Sequence, residues 1–169
     1  IQTPFVQASE VRNLVAVTNS TYVALSWQAP SDLGGSTAVS SYIIEGSLDS
    51  VTWTRLTTSY GVSINISKPA KGTTLNYRVL AVTGWGASLP SNTASSTTAT
   101  TVTSSVTSVI VSRLSSGEYN ISFRQPYDLG GITTWGYKLQ ALQNNTYVTV
   151  QTGTGAAVNN LVVASPAPN

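Results

Sequence analysis

Tyr22-Val23-Ala24-Leu25-Ser26-Trp27-Gln28-Ala29-Pro30, followed at once by Asp32-Leu33-Gly34-Gly35, decides the fold. Val23, Leu25 and Trp27 alternate with smaller or polar residues, the period of two that marks a strand with one buried face. Pro30 through Ser36 reads as a loop, with turn chemistry in Asp32-Leu33-Gly34-Gly35. Outward from there, Val11 to Val17 forms a strand before it, and Tyr42-Ile43-Ile44-Glu45-Gly46 opens the strand after it. Asp49-Ser50 turns the chain towards Trp53-Thr54-Arg55-Leu56, and Val62 to Ile66 follows. Leu75 to Val82 is the longest strand, and a last, polar strand is expected within Asn92 to Ala99. Seven short strands in about 90 residues, with no helical period, predict a two-sheet sandwich.

Composition agrees. Hydrophobic residues make up 41% of the 169 residues, enough for a core, while charged residues make up only 8%. Ser and Thr fill the difference at about 28%. Hydroxyl-rich, β-branched sequence suits strands whose outer faces meet water, and it suits helices badly. The net charge of +2 rests on eight basic and six acidic side chains, scattered singly rather than clustered. Nucleic-acid binding needs several phosphate contacts on one face, so it is not expected. No apolar run reaches the ~18 residues that span a bilayer, so no membrane insertion is expected in this segment.

The chain repeats itself at an offset of about 96 residues. Trp27-Gln28-Ala29-Pro30 and Asp32-Leu33-Gly34-Gly35 return as Phe123-Arg124-Gln125-Pro126 and Asp128-Leu129-Gly130-Gly131. Tyr42 returns as Tyr137, one residue early, and Trp53 is matched by Tyr147. These matches in order mean two modules.

Trp27-x-x-Pro30, Gly34-Gly35, Tyr42, Ser47-x-Asp49-x-x-x-Trp53 and Tyr77-Arg78-Val79-x-Ala81-Val82 together resemble a fibronectin type III repeat. The variety is the one common in bacterial and phage surface proteins. The resemblance implies an all-β chain of tandem seven-stranded immunoglobulin-like sandwiches. Residues 1–9 are expected as a linker or the tail of a preceding module, 10–100 as module one and 101–169 as module two. Two departures stand out. Leu75 occupies the place of the family's corner tyrosine, so that hydroxyl-to-backbone bond is lost unless Tyr77 substitutes. Phe123 replaces the core tryptophan in module two.

By the repeat offset, Ser165-Pro166 matches Lys68-Pro69, so the counterpart of Leu75–Val82 would begin just past Asn169. Module two is therefore expected to lack its last two strands. Either they follow in a longer parent or a neighbouring subunit provides them, as in donor-strand assembly. Ile1-Gln2-Thr3-Pro4-Phe5 reads as the exit strand or linker of a preceding module.

The absence of His and Cys removes the Ser-His-Asp triad, the Cys nucleophile and the His or Cys zinc site. Of six carboxylates, only Glu45 and Asp49 are near each other in sequence, one on a strand and one in the following turn. The glycine pairs lack the Lys-Ser/Thr and helix of a phosphate loop. No catalysis, cofactor or metal is expected. Asp32 and Asp128 sit in the same loop of each module. One carboxylate per loop makes a turn cap rather than a calcium cage. Trp27, Phe123, Tyr42, Tyr137 and Tyr77 are candidate core aromatics. Trp85, between Gly84 and Gly86, is a candidate binding residue, with the loop of Asp32, Gly34 and Gly35 at the same end. A ring there stacks on a sugar or fills a partner's pocket. Trp135 is a weaker candidate of the same kind. Four Asn-x-Ser/Thr triplets carry no message at this Ser/Thr content.

These features suit a non-catalytic spacer of a larger extracellular surface, filament or phage virion protein, whose partners are neighbouring modules or copies of itself. One alternative is an adhesion or carbohydrate-binding module facing a glycan or host surface protein. The other is an accessory module of a secreted polysaccharide-degrading enzyme.

Overall fold

Thirteen strands and no helix make up the described residues, 6–154 and 161–164, of the computed structural model. The chain divides into two compact units, Ile1–Ala99 and Thr100–Asn169. The expected linker Ile1–Phe5 and the Ser165-Pro166 match lie outside the described residues.

Module one is a sandwich of two antiparallel sheets. β1 (Arg12–Thr18), β2 (Tyr22–Gln28) and β5 (Ser63–Ser67) form one sheet in the order β1-β2-β5. In the other, β3 (Val39–Ser47) lies between β4 (Thr54–Ser59) and β6 (Thr74–Thr83). The far edge of β6 takes β7 (Gly86–Ala87) and β8 (Ala94–Thr97). Inward positions of β2, β3 and β6 alternate as the sequence pattern requires. They bury Val23, Leu25, Trp27, Tyr42, Ile44, Tyr77, Val79 and Ala81 in one core with Val11 and Leu14. Trp27 and Tyr42 meet edge to face, centroids 5.4 Å apart at 62°. That arrangement adds about 0.5–1.5 kcal/mol to simple burial.

The last strand, β8, lies within Asn92 to Ala99 as expected, but the chain already pairs with β6 at β7, a pairing not expected from the sequence. Between β7 and β8 the ladder on β6 is interrupted, where Pro90 has no N–H to donate. Serine side chains bridge the gap. Ser88 Oγ accepts from the Ala81 N–H at 2.9 Å and Ser91 Oγ from the Val79 N–H at 3.0 Å. The backbone N–H groups of the same serines donate to the carbonyls of Ala81 and Val79. Tyr77 does not restore the corner tyrosine's hydroxyl-to-backbone bond. Its buried hydroxyl meets Ser96 Oγ on β8 at 2.9 Å, side chain to side chain, while Leu75 packs at the core margin. Burial raises the Tyr77 pKa and the Ser96 bond offsets part of that rise.

Module two repeats the plan with fewer strands. β9 (Thr107–Arg113), β10 (Tyr119–Arg124) and β13 (Leu161–Val163) form one sheet in the order β13-β10-β9. β11 (Gly136–Gln143) and β12 (Thr146–Thr154) form the other. Phe123 and Tyr137 reproduce the edge-to-face pair at 5.3 Å and 71°. Irregularities recur as well. The β3–β4 pairing slips between Ile44 and Glu45, and β11–β12 slips between Leu139 and Gln140. Asn13 and Ser108 sit at the same bulge of the first strand, with φ of 53° and 54°. Among the described residues nothing stands where β6, β7 and β8 stand in module one.

Candidate functional site

The candidate residues of module one gather at one end of its sandwich. The β6–β7 turn is built by Thr83, whose Oγ1 accepts from the Trp85 N–H at 3.2 Å and donates to the Gly86 carbonyl at 3.3 Å. Gly86 takes φ +106°, the left-handed region that favours glycine. Trp85 at the tip is 46% exposed. The turn adjoins the neighbouring loop, since a Cβ on Gly84 would lie 3.9 Å from Ser36 Oγ. Shared placement of Trp85 and the Asp32 loop, expected from the sequence, is what the geometry gives.

Asp32 and Gly34 are engaged internally. Asp32 Oδ1 accepts the Gly34 N–H at 2.9 Å, the self-capped turn expected of an Asp in this position. Ser9 then clasps Asp32 twice. Its N–H donates to the Asp32 carbonyl at 2.9 Å, and its Oγ accepts the Asp32 N–H at 3.2 Å. Val6 donates its N–H to the Gly34 carbonyl at 3.4 Å, and a Cβ on Gly34 would stand 1.8 Å from the Val6 carbonyl oxygen. Ala8 is 2% exposed and accepts from the Leu89 N–H, while the Gln7 side-chain amide donates to the Ala87 carbonyl. Residues 6–9, read from the sequence as linker, thus lie between the loop and β7. Gly35 is different, with open space around its missing Cβ. Trp85, Gly35 and Asp32 are the exposed candidate residues at this end.

The same clasp is built again in module two. Gly130 donates its N–H to Asp128 Oδ1 at 2.8 Å, Ser104 donates to the Asp128 carbonyl at 2.8 Å, and Thr101 donates to the Gly130 carbonyl at 2.9 Å. A Cβ on Gly130 would meet the Thr101 carbonyl oxygen at 1.9 Å. Trp135 does not resemble Trp85. It stands just before β11 with its ring half-buried against Ile121, Phe123 and Leu161, lining a cavity of about 480 Å³. The candidate of module two is therefore a core-facing residue, because the period of β11 carries inward past the strand's first residue.

Two arrangements were not legible as such in the sequence. Arg78 Nε donates to Glu45 Oε2 at 2.6 Å across β6 and β3, and its guanidinium lies 4.4 Å from the centroid of the Trp53 ring. Asp49 accepts from Ser47 Oγ at 2.8 Å, the Val51 N–H at 2.9 Å and the Thr52 N–H at 2.7 Å. Those bonds hold its carboxyl well below the usual carboxylate range, the Thr52 N–H contributing most. Glu45 and Asp49, the one pair near in sequence, are thus committed to separate structural bonds. Among the described residues no three acidic side chains converge as metal ligands would.

No family model matches the chain. Among solved structures, module-sized stretches are similar to titin domains, at 23% identity and TM-score 0.50, covering 55% of this chain and 32% of that one. A twitchin kinase region from C. elegans matches at 24% identity and TM-score 0.50, covering 55% of this chain and 17% of that chain. The sixth fibronectin type III domain of human fibronectin type III domain containing protein 3 matches at 19% identity and TM-score 0.50. That match covers 61% of this chain and 96% of the domain. The chain spans less than a third of the titin and twitchin chains and nearly all of the single domain. Identities at this level establish the fold, and the fold is that of the fibronectin type III domain.

Proposed function

We propose that this chain, built of modules with the fibronectin type III fold, is a non-catalytic spacer segment of a larger extracellular protein, displayed on a cell surface, filament or phage virion. The observation that carries the reading is the repeated clasp. Ser9 and Val6 on the Asp32–Gly34 loop, and Ser104 and Thr101 on the Asp128–Gly130 loop, turn the same polar groups inward in both modules. Backbone groups that seat the module's own leading segment are already engaged in both copies. The connection between modules is also short. Thr98 still bonds Thr73 and Gly72 of module one, and Thr101 already bonds Gly130 of module two. Tandem modules on a short connection give length, which is what a spacer contributes. Low charge removes repulsion between neighbouring copies. Immunogold electron microscopy with an antibody to module one tests this on the source cells and on released particles. Label on their outer surface is expected, and label confined to the cell interior refutes the reading.

Trp85 favours a second reading, adhesion to a glycan or host surface protein, because it is a large ring 46% exposed at a loop tip. Glycan-array and cell-adhesion signals lost in Trp85→Ala would support it, and signals unchanged in that variant would remove it.

A further inference from the structure

The turn between β3 and β4 presents an apolar pair that the fold does not need. In module two Asn144-Asn145 alone joins β11 to β12, whereas six residues, Leu48 to Trp53, join β3 to β4. Leu48 is 70% exposed and Val51 80%. The turn that carries them is held in one shape. Asp49 Oδ1 accepts from Ser47 Oγ and from the N–H groups of Val51 and Thr52, and Ser50 is kept at φ +59°. Apolar side chains already fixed in place lose little freedom on binding, so they suit an interface.

A groove runs from this turn along the side of the sandwich, between β4 and β5. Near the turn a cavity of about 470 Å³ is lined by Leu48, Asp49, Leu56 and Leu75. Leu56 and Leu75 also line the next, of about 380 Å³, with Ile64, Ile66, Lys68 and Pro69. Leu56 thus marks the middle. Its side chain lies across Gly46, where a Cβ would meet Leu56 Cδ1 at 2.8 Å. It is also the extra residue of the β4 bulge, since Arg55 pairs with Glu45 and Thr57 with Ile44. A bulged edge resists ladder pairing, so docking here is by side chains. Two charges line the groove, Asp49 in one cavity and Lys68 in the other. Neither makes an ion pair among the described residues. Asp49 bonds hydroxyl and N–H groups, and Lys68 Nζ donates to the Ser20 carbonyl at 3.4 Å.

We propose that this face of module one docks onto the same face of a second copy of the chain, about a two-fold axis passing close to Leu56. An interface of that symmetry must be self-complementary. The rotation seats each Leu48–Val51 turn against the partner's Ile66 and Pro69, and sets each Asp49 beside the partner's Lys68. The Leu56 side chains meet at the axis. Charge complementarity selects the occupant, because the groove has one negative and one positive end and a second copy turned end for end supplies the reverse. The net charge of +2 sets up little repulsion between copies. Docking of this kind uses module one alone and holds wherever the protein is displayed.

Sedimentation of the whole chain over about two decades of concentration is expected to show a monomer–dimer equilibrium. Val51→Asp and Leu56→Asp are each expected to weaken the dimer about tenfold or more. Val51 lies outside the core cluster, so its variant reports on docking even where Leu56→Asp unfolds the module. Lys68→Glu is expected to weaken the dimer by setting like charges together at each end, and added salt to recover part of that loss. The chain has no cysteine, so single cysteines report the geometry without background. Leu56→Cys is expected to cross-link to itself under mild oxidation. Val17→Cys, comparably exposed on β1 at the far edge of the other sheet, is expected not to. Four results overturn the proposal. The chain could stay monomeric throughout. The dimer could ignore Val51→Asp and Leu56→Asp alike, as one formed through module two does. The two cysteines could cross-link equally. Or assembly could grow past the dimer with Leu56→Cys uncoupled, the sign of head-to-tail contact.

Discussion

The side-chain amide of Asn92 closes onto the backbone of Leu14 from both sides. Leu14 donates its N–H to Asn92 Oδ1 at 2.9 Å, and Asn92 Nδ2 donates to the Leu14 carbonyl at 3.0 Å. The two residues are 78 positions apart, Leu14 on β1 and Asn92 just before β8 of the other sheet. A single carboxamide thus does across the sandwich what a strand partner does within a sheet, and the bulge at Asn13 frees Leu14 for it.

Asn92→Ala leaves a buried N–H and C=O without partners and is expected to destabilise module one by about 2–4 kcal/mol. Asn92→Asp keeps the acceptor, loses the donor, and brings a charge to a part-buried place, so it does not rescue. Urea denaturation followed by tryptophan fluorescence measures both. A loss under about 0.5 kcal/mol for Asn92→Ala, the size of an ordinary surface change, would show that the clasp contributes nothing.

Gly34 and Gly35 are neighbours with different tolerances. Both have positive φ, +63° and +86°, which alone costs an alanine about 1–2 kcal/mol. Only Gly34 also faces a backbone oxygen at 1.8 Å from its virtual Cβ. Gly34→Ala is expected to cost about 3 kcal/mol or more and to release the Val6–Ser9 segment, whereas Gly35→Ala costs the φ term alone. Equal stability losses in the two variants would contradict this.

Asp49 gives the fold an acid-sensitive turn. Its folded-state carboxyl is held below the ordinary range, so the unfolded chain binds the proton more readily than the folded one does. The stabilisation is therefore complete above about pH 4, the ordinary Asp value, and is lost as pH falls from there through the folded-state pKa. Asp49→Asn retains the acceptor oxygen but removes the titration. Its stability is expected to fall less steeply below about pH 4 than that of the parent chain. Parallel acid limbs in circular dichroism for the two proteins would reject this assignment.

Tyr77 and Ser96 share a buried hydroxyl pair. Tyr77→Phe and Ser96→Ala each strand one oxygen and are expected to cost about 1–2 kcal/mol. The double variant, lacking both oxygens, is expected to cost about 1 kcal/mol less than their sum. Strict additivity in a double-mutant cycle would mean the contact carries no coupling.

Much of this was legible beforehand, for a physical reason. Strand alternation needs only that one face be dry, so Val23-x-Leu25-x-Trp27 and Tyr77-x-Val79-x-Ala81 announced their faces in any structural context. Asp32 before Leu33-Gly34 announced a self-capped turn, because the bond spans two residues. Trp135 continues inward the period of two set by Tyr137 and Leu139, so its packing beside Phe123 could have been read from the same alternation. Ser88 and Ser91 were unreadable as strand substitutes, since serine suits loops equally well and only the position of β6 made their hydroxyls ladder acceptors.

The amino-acid sequence by itself determined the all-β class, the twofold repeat, the aromatic centre of each core and the lack of His- and Cys-based chemistry. All of these depend on residue type and short-range spacing. Tertiary structure decided which polar groups are engaged: Ser9 on Asp32, Asn92 on Leu14, Ser96 on Tyr77. Such bonds join residues 19 to 78 positions apart, and hydrogen bonding acts over about 3 Å, so no local pattern encodes them until the sheets have brought the partners together.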